Sequence, residues 1–143
     1  VTVPSSEMLH ASTVAIHGHA VLIAGPSGSG KSDLALRLID RGATLVSDDY
    51  TLVKNDGAGL IACAAPNIAG RIEVRGIGII ETAFVDAQPA SLFVQLSEDV
   101  IRMPGEDDIR MIAGIGVACI TLNGLEASAP IKVEIALNAV LGR

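Results

Sequence analysis

Gly25-Pro26-Ser27-Gly28-Ser29-Gly30-Lys31-Ser32 fits the pattern G-x-x-x-x-G-K-[S/T] without a mismatch. The apolar run at 20–24 before it reads as a strand. Residues 33–41 after it read as a helix, with Leu34, Ala35, Leu38 and Ile39 on one face and Gly42 ending it. A glycine-rich turn between a strand and a helix is a phosphate cradle. Gly25, Gly28 and Gly30 let successive backbone N–H groups approach phosphate oxygens, and the helix aims its positive end at the same place. Lys31 adds a point charge at the outer phosphates, and the Ser32 hydroxyl can join the oxygen shell of a magnesium ion. All eight residues are therefore expected to form a nucleotide site.

Working outward, the runs at 12–16 and 20–24 flank His17-Gly18-His19, a hairpin signal. The first strand then lies antiparallel beside the strand that feeds the loop, which brings His10 toward the loop's end of the sheet; residues 1–8 read as a loose lead-in. On the other side, 43–47 reads as a strand that delivers Asp48 and Asp49 at its carboxyl end, the edge where α/β sheets bind ligands. Neighbouring strand residues point to opposite sides, so one acid could face phosphates and metal and the other a substrate hydroxyl. A solvated acidic turn is the plainer alternative.

Residues 50–54 and 60–64 around Asn55-Asp56-Gly57 read as a second hairpin, and 71–81, RIEVRGIGIIE, as an extended segment with Glu73 and Arg75 on one side. That charged pair is either a surface ion pair or part of a site. A strand at 91–96, a polar loop at 97–108 carrying Arg102, a hairpin of 109–113 and 117–122 around Gly114-Ile115-Gly116, and a helix from Pro130 to Leu141 complete the chain. The expected class is α/β: one phosphate-loop domain over residues 1–143, with a mixed, hairpin-rich sheet, a helix after the loop and a C-terminal helix.

Ten basic against 16 acidic residues, net −6, with no basic stripe, argue against nucleic acid as a partner. Half the residues are hydrophobic and the mean hydropathy is +0.51, yet no run is long enough for a membrane helix. So apolar a domain is expected to cover part of its surface in a homo-oligomer. Cys63 and Cys119 stand in apolar surroundings outside any metal-ligand spacing, and no leader segment is evident at the N-terminus, so reduced thiols and a cytoplasmic location are expected.

His10, GPSGSGKS at 25–32, ATLVSDD at 43–49 and IEVRGIGIIE at 72–81, in that order and at these separations, resemble the catalytic domain of the HPr kinase/phosphorylase family. The resemblance implies a bacterial enzyme that uses ATP or pyrophosphate to phosphorylate a serine of the phosphocarrier protein HPr, with or without reverse phosphorolysis, as a hexamer. It implies Asp48 as the acid/base group on the target serine, Asp49 as its neighbour at the metal, and His10 as the group that supports Asp48. It also implies Glu73 as an acid near the Mg2+ that Ser32 can hold, and Arg75 as the signature arginine.

The sequence departs from the family in two ways. The family's separate N-terminal domain is not within these residues, as expected either of a naturally short member, which alphaproteobacterial forms resemble, or of a trimmed chain. The basic loop before the closing helix is shortened, leaving Arg102 and Lys132 as substitutes, so kinase activity is expected to exceed phosphorolysis. A small-metabolite kinase would need an Arg-rich lid that the sequence lacks, and a nucleotide-sensing module without turnover would not depend on Asp48.

Overall fold

A computed structural model describes residues 5–100 and 108–143. Strands β1 (Ser6–Leu9), β2 (Ala11–Ile16) and β3 (His19–Ala24) lead through the glycine-rich turn to helix α1 (Lys31–Asp40). There follow β4 (Thr44–Ser47), β5 (Thr51–Asn55), β6 (Leu60–Ala64), β7 (Arg71–Val74), β8 (Gly78–Glu81), β9 (Gln88–Leu96), β10 (Ile109–Ile112), β11 (Ile115–Leu122) and α2 (Ala129–Val140). The main sheet runs β1-β5-β6-β9-β3-β2-β4, with β11 also paired to β9 and β10 to β11. It is the mixed, hairpin-rich α/β sheet expected, with one helix after the loop and another at the C-terminus.

Strand direction explains why the site gathers where it does. β2 is antiparallel to both β3 and β4, so β3 and β4 run the same way, and β9 is parallel to β3 and β11 parallel to β9. The carboxyl ends of β3, β4, β9 and β11 therefore share one edge with the amino end of β2. β3 is buried on both faces, which is why it reads as a continuous apolar run. Val21 and Ile23 pack with Leu34 and Leu38 of α1 and Val133 and Leu137 of α2, while Ala20 and Leu22 pack with Val53, Leu60, Phe93 and Val117 on the opposite face.

The structure corrects three expectations. Ser6–Leu9 is a strand, not a lead-in: it pairs antiparallel with β5 from Ser6↔Lys54 to Leu9↔Thr51. It is a mostly exposed edge strand, so no buried face marks it in the sequence. Residues 71–81 fold back on themselves as the β7–β8 hairpin, turning at Arg75-Gly76-Ile77 with Ile77 N–H bonded to the Val74 carbonyl at 2.9 Å. The last hairpin turns at Ala113-Gly114, at φ 49° and 83°, leaving Ile115 and Gly116 in β11. Cys63 is buried and Cys119 half-buried, both free, and burial pushes both thiols above the usual range. No helix among the described residues is long and apolar enough to cross a membrane.

Candidate active site

The glycine-rich turn leaves β3 and closes on itself before α1, with Ser29 N–H bonded to the Pro26 carbonyl at 3.0 Å and Leu34 N–H to the Gly30 carbonyl at 2.8 Å. Gly30, at φ 93°, is the left-handed residue that opens the helix; such a turn favours glycine. At Gly25 the constraint is space, since a Cβ there would lie 2.6 Å from Ser29 Oγ and 3.0 Å from Leu96 Cβ. Lys31 is buried and its Nζ donates to the carbonyls of Gly25 and Pro26, at 2.9 and 3.3 Å, so its ammonium sits folded over the turn.

Opposite the turn, β4 ends at the two acids, and the chain treats them differently. Asp48 is buried: its Oδ1 accepts from Ser12 Oγ at 2.8 Å and from Ser32 Oγ at 2.7 Å, and its Oδ2 accepts from Glu73 N–H at 2.9 Å. Asp49 is left-handed, at φ 66°, in a tight turn that brings Tyr50 N–H to the Asp48 carbonyl at 2.7 Å. Its side chain, 56% exposed, meets His10 Nε2 at 2.9 Å. His10 therefore supports Asp49 rather than Asp48, which corrects the expectation. The physical reason is that the pair lies in a turn beyond β4, where side chains do not alternate as in a strand. Ser12 Oγ links the two acids by also accepting from Asp49 N–H at 3.1 Å.

A cavity of about 370 Å³ joins these parts, with Lys31 and Ser32 on one side, Asp49 on another, and Glu73 and Arg75 reaching in from the β7–β8 hairpin. Among the described residues no cluster of three or more His, Cys, Asp and Glu is disposed to hold a metal by itself. What is present is a hydroxyl bonded to a buried carboxyl, Ser32 to Asp48, with the Glu73 backbone fixed on the same acid. Hard oxygen donors, few in number and next to the glycine-rich turn, are of the kind that suits Mg2+.

Residues 2–90 match the family described as the HPr Serine kinase C-terminal domain. The chain belongs to that family. An HPr kinase/phosphorylase of Brevibacillus brevis is 33% identical over 124 residues, covering 86% of this chain and 40% of the relative. One from Pelodictyon phaeoclathratiforme is 31% identical over 154 residues, covering 96% of this chain and 46% of the relative. The chain thus spans under half the length of these two relatives. The solved structure of the Hpr(Ser) kinase/phosphatase from Coxiella burnetii is similar to this one at TM-score 0.80 and 31% identity, over 93% of this chain and 89% of that one.

Residues of the turn, Asp49, Glu73 and Arg75 line one cavity, and Asp48 and His10 join it through their bonds to Ser32 and Asp49. Arg102 lies outside the described residues. Lys132 lies on α2, bound to Glu126 at 3.0 Å. Sequence reasoning missed Ser12, which with Thr13 is one of two hydroxyl residues in a strand that is apolar elsewhere, and Tyr50, whose ring stacks on His10 with centroids 4.9 Å apart. It also missed the 123–126 segment, where Leu125 enters the cavity and Arg37 donates to the carbonyls of Gly124 and Glu126.

Proposed function

We propose that the chain is the catalytic domain of a protein-serine kinase that moves the γ-phosphoryl group of ATP, or a phosphoryl group of pyrophosphate, onto a serine of an HPr-like phosphocarrier. The observation that carries this reading is the exposed Asp49 held by His10 across one cavity from Lys31 and Ser32. An acid/base group that must meet a serine on another protein has to be open to solvent, and Asp49 is, whereas both oxygens of Asp48 are engaged inside the domain.

In this mechanism the backbone of Gly28 to Lys31 and the Lys31 ammonium grip the outer phosphates, leaving their present partners for the ligand. Ser32, Asp48 and Glu73 would hold Mg2+. Bound there, the ion would supply positive charge to offset that of the phosphates. Asp49 orients the incoming serine hydroxyl and takes its proton as the new O–P bond forms and the bond to the leaving phosphate breaks. His10 fixes the Asp49 carboxyl, and Arg75 offsets charge on the transferring group; positioning and electrostatics of this kind supply most of phosphoryl-transfer catalysis.

The roles of Asp48 and Asp49 are thus exchanged relative to those the resemblance implies. Forward transfer is proposed to exceed phosphorolysis, because Lys132 is tied to Glu126 rather than free to hold inorganic phosphate. A single-domain, cytoplasmic homo-oligomer, a hexamer by family likeness, completes the proposal. The test is to incubate the protein with Mg2+, γ-labelled ATP and HPr and to locate the label by mass spectrometry. Phosphoserine on HPr is expected; an unlabelled HPr with ATP bound would leave only a nucleotide-sensing role.

A further inference from the structure

We propose that Tyr50 is a positioning residue for phosphoryl transfer, its ring holding the His10 imidazole in the one orientation from which Nε2 reaches Asp49. The proposal rests on the reading of Asp49 and His10 as the acid/base pair. His10 lies at the surface, its side chain 46% exposed, and a histidine there is free to change rotamer unless something restrains it. Two contacts restrain this one from different directions. Asp49 Oδ1 meets an edge of the ring at Nε2, 2.9 Å away, and Tyr50 covers a face, with centroids 4.9 Å apart and planes 21° from parallel. The hydrogen bond alone leaves the ring free to rock about the N···O axis. The stack removes that freedom.

The backbone shows how consecutive residues come to flank one imidazole. Asp49 is left-handed, and Tyr50 N–H bonds back to the Asp48 carbonyl at 2.7 Å, so the chain reverses direction at Asp49. The Tyr50 carbonyl accepts from Ser47 Oγ, and Thr51 Oγ1 donates to the Ala11 carbonyl at 2.8 Å, one residue past His10. Tyr50 is thus pinned between β4, through Ser47, and the start of β2, where Ala11 follows His10. Tyr50 is 45% exposed and belongs to neither hydrophobic cluster, so packing of the interior does not account for its place.

Two variants of the full chain test this, Tyr50→Phe, which keeps a stacking ring, and Tyr50→Ala, which removes it. Each is read in two ways. In the free protein, at a fixed pH, the ring protons of His10 sit over an aromatic face and resonate upfield; Tyr50→Ala should shift them downfield while Tyr50→Phe leaves them in place. In transfer from ATP to HPr, Tyr50→Ala should lower kcat by about 10- to 100-fold, the usual scale of a misplaced catalytic group, with the KM for ATP unchanged. Tyr50→Phe should restore the rate. An Ala variant with the wild-type kcat, or a Phe variant as slow as the Ala one, overturns the proposal. His10 resonances that do not move in Tyr50→Ala overturn the positioning itself, whereas a wild-type protein inert toward HPr overturns the functional reading beneath it, so the two failures are distinct.

Discussion

At Asp49 the backbone takes φ 66°, a conformation that Asp and Asn enter more readily than most residues and that clusters at functional sites. That dihedral separates two adjacent acids into a buried one bonded to Ser12, Ser32 and Glu73 N–H, and an exposed one bonded to His10. Asp48→Ala should therefore cost about 1–3 kcal/mol of stability, the price of leaving buried polar partners unsatisfied, and thermal melts would read it; Asp49→Asn should melt with the wild type. Lys31→Ala should keep the fold but lose ATP affinity measurably in calorimetry, since no other Lys or Arg lies within the turn to replace its charge. The turn from Gly25 to Ser32 was legible because its glycines, Lys31 and Ser32 are residue types with physical tasks of their own at that spacing. The division of labour between Asp48 and Asp49 was not, because alternation along a strand says nothing about a turn, and no local signal announces a left-handed aspartate.

Among the elements, α1 joins the sequence's clearest pattern to the structure's least expected contact. Its apolar face at Leu34, Ala35 and Leu38 packs on the sheet as the spacing requires, and Asp33 and Arg37 meet at 3.0 Å. The same Arg37 also clamps the carbonyls of Gly124 and Glu126, which presses the 123–126 segment against the phosphate turn. A Cβ at Gly124 would lie 3.0 Å from the Ser29 carbonyl oxygen and 2.8 Å from Leu96 Cδ1. Gly124→Ala should accordingly destabilise by about 1–3 kcal/mol, as overpacking does, and weaken ATP binding by displacing Ser29; an alanine variant with unchanged melting and affinity would show the segment to be slack. The hairpins β2–β3 and β5–β6 were readable from turn residues between apolar runs. β1 and the reversal within 71–81 were not: one is an exposed edge strand, and the other turns at a Gly flanked by residues that read as strand.

Taken whole, the molecule leaves large apolar side chains in water at Ile77 and Ile79 on the β7–β8 hairpin, Ile109 and Met111 on β10, and Ile135 on α2, each more than 60% exposed. A homo-oligomer would cover side chains of this kind, so light scattering at micromolar concentration should give a multiple of the 14.6 kDa chain mass; a monomer would contradict the oligomer proposed above. The sheet order brings four strand ends and His10 to one edge; the hairpin signal at 17–19 placed His10 toward the loop's end, but the strand order of the sheet had no local signal. The central claim is that Asp49, held by His10, takes the proton of the serine that receives the phosphate. Single-turnover transfer from ATP to HPr in Asp49→Asn tests it most directly, since asparagine tolerates the same backbone and removes only the base. The account predicts a rate lower by at least about 100-fold, the scale of general acid–base catalysis, with ATP affinity within about threefold of wild type, well under the tenfold that 1.4 kcal/mol represents. Transfer at the wild-type rate would contradict it.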